Sequence, residues 1–272
     1  MSTAERSYSH ENPLVVGVGG GGCHLETGSI AFRMIKSTLE DKGIEYAQVH
    51  GCDDLSGDAR VVPPSQQRDR IEQIVETTPE DQSILLLGQC MGGCAVVSFL
   101  RDYSGSRPVT GLIFAPATQP DKVVTNPQSR ARRHANDTIM RLNILAGTTR
   151  DYRRDIAASV NATLPPAYLS EAFNARETMA DMAQLVTMGR LSLWAASNDW
   201  NPTSPADVAK LQEQCGDEYA DRLRIIPHVG HTLHLTNARH LAEDVQIAAQ
   251  KAMVETMLQT EIAAVQSLSR QL

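Results

Sequence analysis

A chain of 272 residues with 42% hydrophobic content is long enough to bury one large core, or a core with a small appended subdomain. Its formal charge of −7 argues against nucleic acid as a main partner, and no run nears the roughly 20 apolar residues of a membrane span. Met1 to Arg6 lack an apolar signal stretch and the five cysteines show no CxxC spacing, which disfavours a disulfide framework or structural zinc and makes a reducing cytoplasm the expected setting.

Leu14 to Val18 form a short apolar run bounded by glycine, which predicts a buried strand. A helix is expected from about His24 to Lys42, with Phe32, Ile35 and Leu39 on one face and Gly43 at its C-terminal end. Next come Ile44 to Val49 (strand), Gln67 to Glu76 (helix), Ser83 to Leu87 (strand), Met91 to Asp102 (helix) and Val109 to Phe114 (strand). Strands alternating with helices predict a parallel sheet covered on both faces.

From about Ala117 to Met188 no apolar strand appears, and prolines punctuate helical segments, which predicts a helical insertion over 117–188. Its arginines and lysine suit docking of an acidic partner or a phosphate-bearing arm, or a solvated helical surface. The alternation returns with Leu191 to Ala195 (strand), Pro205 to Leu223 (helix), Arg224 to Pro227 (strand) and a closing helix from about Ala238 to Met257. The expected organisation is an α/β core of 1–116 and 189–272 with a helical lid between.

Gly88-Gln89-Cys90-Met91-Gly92-Gly93 lies between a buried strand and a helix. A nucleophile on such a corner needs small residues on both sides, because the strand turns sharply into the helix and backbones crowd. The helix N-terminus then directs free N–H groups and a positive dipole end at the cysteine, favouring its thiolate. The competing reading is a buried core cysteine before an ordinary glycine-rich turn. Cys94, one turn on, reads as packing. A base is available in His231, from His228-Val229-Gly230-His231, and an acid to orient it in Asp199, from Ser197-Asn198-Asp199.

Gly17-Val18-Gly19-Gly20-Gly21-Gly22 satisfies the G-x-G-x-x-G pattern of dinucleotide sites, but a run of glycines does so almost automatically. The next strand also lacks the ribose-binding acid in its usual place. With a nucleophile corner downstream, an oxyanion loop is the preferred reading, its donors being the N–H of Met91 and one from Gly19 or Gly20. His228, His231 and His234 could suggest a metal, but no carboxylate or thiolate lies near them in sequence. Neither metal nor cofactor is expected.

These segments resemble the α/β-hydrolase superfamily across nearly the whole chain, most closely the stand-alone thioesterases of polyketide and peptide synthesis. Gly88-Gln89-Cys90-Met91-Gly92 matches their G-x-S-M-G corner except at the nucleophile. Asp199 and His231 stand in segments similar to those that carry their acid and histidine, in the chain order nucleophile, acid, histidine. Some enzymes of this fold take the acid from an earlier strand end, which makes Asp121 the alternative. The histidine usual before the oxyanion glycines is absent, with Val18 there instead.

The resemblance implies acyl transfer from a thioester, on a phosphopantetheinyl carrier protein, with no nucleic acid and no membrane involved. Cysteine in place of serine would keep the bound acyl group a thioester, still activated for an internal nucleophile. That suits intramolecular cyclisation and release under a water-excluding lid, as in the Dieckmann cyclases of tetramate and pyridone pathways. The alternative is hydrolysis of a small ester, lactone or thioester, as by a thioesterase or dienelactone hydrolase. A non-catalytic nucleotide-binding module built on the Gly17 to Gly22 loop is the third reading.

Overall fold

The computed structural model describes residues 12–20, 30–51, 62–116, 175–197, 203–227, 242–251 and 254. The strands are β1 (Leu14–Val18), β2 (Glu45–Val49), β3 (Ile84–Gln89), β4 (Val109–Phe114), β5 (Leu191–Ala196) and β6 (Leu223–Ile226). The helices are α1 (Ile30–Glu40), α2 (Pro64–Thr77), α3 (Gly92–Asp102), α4 (Ala175–Thr187) and α5 (Thr203–Cys215), with helical backbone again over 242–251.

The strands form one sheet in the order β2-β1-β3-β4-β5-β6, every pairing parallel. Every residue of β1 and β3 is buried, which is why both read as continuous apolar runs. Alternate side chains divide between two cores. Leu14, Val16, Ile84 and Leu86 pack on the face covered by α2, α3, α4 and α5. Val15, Leu85 and Leu87 pack on the other face, with Ile35 and Leu39 of α1 and Ala242, Val245 and Ala249 of the last helical segment. This is the doubly covered α/β sheet that the alternation predicts.

Several boundaries differ for physical reasons. Helix α2 begins at Pro64 rather than Gln67, because proline suits a first helical turn, where its missing N–H has no intrahelical acceptor. The helix expected over Pro205 to Leu223 stops at Cys215. Gly216 takes φ +101, a backbone that ends a helix, and a short 3-10 turn (Asp217–Tyr219) leads into β6. Gly43 takes φ +72 just after α1, as a helix-ending glycine does.

The lid expected over 117–188 needs a correction at its end. Met182, Leu185 and Val186 of α4 are buried in the same core as β1 and β3, so 175–187 is a sheet-covering helix. Residues 117–174 lie outside the described ones. Among the described residues no helix is long and apolar enough to cross a membrane.

The topology creates a preferred place for a site. From β1 the chain moves outward to β2, then crosses back over β1 to β3. The order therefore reverses between β1 and β3, and the carboxyl ends of strands at such a reversal are where ligands of open α/β sheets bind.

Candidate active site

Cys90 stands at the carboxyl end of β3, beside that reversal of strand order. Strand β3 ends at Gln89, the Cys90 N–H donates to the Phe114 carbonyl at 3.0 Å, and α3 starts two residues on. Between strand and helix the backbone of Cys90 takes φ +49, a left-handed conformation that L side chains other than glycine rarely adopt. Among the described residues only one other non-glycine does so, Ala115 at φ +45, at the end of the neighbouring strand β4. Such strain persists only where the surroundings enforce it, and it gathers at functional sites.

Close approach at three points enforces the corner. A Cβ on Gly88 would stand 2.8 Å from the Gly93 Cα, and one on Gly93 would stand 2.5 Å from Cγ2 of Ile113. A Cβ on Gly92 would meet the carbonyl oxygens of Val18 and Gly19, each at 2.5 Å. Helix α3 is thereby seated hard against β1, β3 and β4, with Cys90 lifted to a half-buried position between two buried neighbours, Gln89 and Met91.

The Gly93 N–H donates to the Cys90 carbonyl and the Cys94 N–H to that of Met91, so the first turn of α3 forms directly under the cysteine. The free amides and positive end of that helix face the corner. Among the described residues no backbone acceptor meets the Met91 N–H. Cys94 differs sharply from Cys90: it is fully enclosed, and burial first, then the neighbouring Cys90, pushes its thiol far above the ordinary cysteine range. Cys94 is a packing thiol, as its sequence position suggests.

The glycine loop after β1 packs on the corner. A Cβ on Gly20 would lie 3.0 Å from the Gln89 carbonyl oxygen and 3.3 Å from the Cys90 Cβ, so Gly20 is a direct neighbour of the cysteine. The two candidate donors of this loop are not equivalent. The Gly19 N–H donates to the Val49 carbonyl at 2.9 Å, extending the β1–β2 ladder by one residue. The Gly19 N–H is thereby engaged in the sheet, which favours Gly20 of the two candidates.

The sequence reading missed Gln67. Its side chain is buried on α2 and its Nε2 donates to the Gly19 carbonyl at 2.8 Å and to the His50 carbonyl at 3.3 Å. The available signal was its phase: Gln67 precedes Ile71 and Val75 at four-residue steps, a polar residue on the buried stripe of α2.

Of the sequence-predicted site residues, the structure brings together Cys90, Met91, Gly19 and Gly20. Asp199, His231 and Asp121 lie outside the described residues, as do Gly21, Gly22, His228 and His234. Because the sheet is parallel, β4, β5 and β6 end at the same edge as β3, and the chain leaves that edge towards 121, 199 and 231 in turn. Among the described residues no group of three or more His, Cys, Asp or Glu could hold a metal ion.

No protein-family model matches the chain. No curated protein matches it either. Solved structures do. Est1E from Butyrivibrio proteoclasticus is 15% identical, with a TM-score of 0.53 over 92% of this chain and 90% of that one. A structure from a study of carboxylesterases of the thaumarchaeon Nitrososphaera gargenis is 12% identical, with a TM-score of 0.54 over 92% and 93%. Carboxyl esterase 2 from the fungus Tuber melanosporum is 14% identical, with a TM-score of 0.51 over 90% and 78%. At such identities the likeness concerns the fold alone. The chain has the α/β-hydrolase fold.

Proposed function

We propose that the chain is an acyl-transfer enzyme that hydrolyses a carboxylic ester or thioester through an S-acyl intermediate on Cys90. The observation that carries the reading is the strained corner itself. A half-buried cysteine at φ +49 stands at the N-terminus of α3, outside the strand pair where the sheet order reverses. A structural cysteine needs none of these features.

In this reading His231 takes the Cys90 proton and the thiolate attacks the acyl carbonyl carbon. The developing oxyanion is held by the N–H groups of Met91 and Gly20. As the tetrahedral centre collapses, His231 returns the proton to the departing alcohol or thiol. Water then attacks the thioester with His231 again as base, and the carboxylic acid and the free Cys90 thiol result. Asp199 orients the imidazole and balances its charge, with Asp121 as the alternative acid.

Solved structures of the same fold include carboxylesterases, which favours release to water over the ring closure expected first from the sequence. One observation keeps cyclisation as a second reading. A cysteine at the corner keeps the acyl group activated, so an internal carbon or nitrogen nucleophile of a carrier-bound substrate could take the place of water.

Intact-protein mass spectrometry after exposure to an acyl-thioester is the test. Wild type should gain one acyl group and lose it with time, whereas Cys90→Ala should gain none. Free acid as product from a β-keto acyl-thioester bearing an internal amide supports hydrolysis, and a ring product supports the second reading. An equal adduct on Cys90→Ala would refute both.

A further inference from the structure

We infer that Gln67 is a positioning residue of the oxyanion site, setting the direction of the Gly20 N–H through the peptide that joins Gly19 to Gly20. The inference rests on the acyl-transfer reading and extends it to a residue that never touches the substrate.

The carbonyl of Gly19 and the N–H of Gly20 belong to one planar trans peptide, so they point in opposite directions and turn together. Whatever holds the Gly19 oxygen therefore aims the Gly20 hydrogen. Two groups hold it. The Gln67 Nε2 donates to it at 2.8 Å, and Gly92 backs it so closely that a Cβ there would stand 2.5 Å away. The orientation of the Gln67 amide is not ambiguous, because both of its partners, the Gly19 and His50 oxygens, accept hydrogen bonds only.

With its oxygen held between Gln67 of α2 and Gly92 at the start of α3, this peptide directs the Gly20 N–H away from both. Gly20 itself lies against Gln89 and Cys90. The Gly19 N–H is bound to Val49, so the preceding peptide cannot turn to replace it. The hydrogen bond to the Gly19 carbonyl also polarises the peptide and makes the Gly20 N–H a stronger donor. A glycine-rich loop would otherwise be free to flip this peptide, since glycine meets little steric resistance to the change. Gln67, fixed on a helix at the interior end of the loop, supplies the missing rigidity.

The test separates nucleophilicity from oxyanion stabilisation. Alkylation of Cys90 by iodoacetamide builds no oxyanion, whereas acylation by a thioester does. Gln67→Met is nearly isosteric and donates nothing. It should slow acylation about ten- to a hundredfold, somewhat less than outright loss of an oxyanion donor, and leave the alkylation rate unchanged. The loss should fall on kcat, with KM little altered.

If Gln67→Met does not fold, Gln67→Glu carries the test. Its protonated carboxyl can donate to Gly19 and its carboxylate cannot, so the ratio of acylation to alkylation, relative to wild type, should fall as pH rises. A parallel loss of both reactions, or no loss of either, overturns the role of Gln67 alone. A wild type that alkylates but never acylates overturns acyl transfer and this inference with it.

Discussion

The main-chain oxygen of Gly19 and the α-carbon of Gly92 approach so closely that a methyl group on the latter would stand 2.5 Å from the former, and as near to the Val18 oxygen. Both obstacles are backbone, held in β1 or at its end, so neither can swing aside as a flexible side chain would. Gly92→Ala must therefore push α3 away from β1 and disturb the corner between them. The expected result is a loss of about 1–3 kcal/mol in stability together with slowed acylation of Cys90. Chemical denaturation and the acylation assay check this, and wild-type behaviour in both would contradict the seating of α3 described above.

The strain at Cys90 makes a different kind of variant informative. At φ +49 a side chain at position 90 is disfavoured by about 1–2 kcal/mol relative to glycine. Cys90→Gly and Cys90→Ala both remove the sulfur, yet only the glycine variant relieves the backbone. Cys90→Gly should be the more stable of the two by up to about 1 kcal/mol, since glycine's greater freedom in the unfolded chain offsets part of the gain. Thermal unfolding of the pair is the measurement. Equal or reversed midpoints would mean that position 90 carries no strain in solution.

Local features of this molecule are legible in the sequence, and long-range ones are not. The corner around Cys90 could be read because strand, small residues and helix are consecutive in the chain. Gln67 could not be assigned, since its partner Gly19 is 48 residues away and a hydrogen bond to a distant carbonyl leaves no local spacing. The engagement of the Gly19 N–H is illegible for the same reason: its acceptor, Val49, belongs to a strand paired from elsewhere in the chain. At the end of α5, helical spacing continues in the sequence to Leu223, but Gly216 breaks the backbone and a 3-10 turn carries the chain to β6. His231 and Asp199 lie outside the described residues and rest on their chain order alone.

The choice between the two candidate acids can be made by substitution. Asp199→Asn should lower the acylation rate at least about a hundredfold, because the imidazole loses both its orientation and its counter-charge, while Asp121→Asn should leave the rate near that of wild type. His231→Ala should be at least as damaging as Asp199→Asn. If Asp121→Asn is the crippled variant, the acid comes from the β4 end and Asp199 is a turn residue.

Cys94 gives a prediction that does not involve catalysis. Its thiol is enclosed, and burial, then the neighbouring Cys90, raises its pKa in the folded chain well above the value of about 8.5 expected when unfolded. For a group whose folded value is raised, the stabilising contribution is complete below the unfolded value and declines above it, because the unfolded chain loses the proton first. In this region each pH unit should remove about 1.4 kcal/mol of stability through this one thiol. Cys94→Ala removes the titrating group but leaves the other alkaline titrations in place. The stability difference between wild type and Cys94→Ala should therefore stay constant from neutral pH to about 8.5 and then shift against wild type with that slope. Urea denaturation of both proteins between about pH 7 and 10.5 would measure it. A difference that stays flat throughout would mean that Cys94 ionises as readily in the folded chain as in the unfolded one, which contradicts its burial beneath the corner.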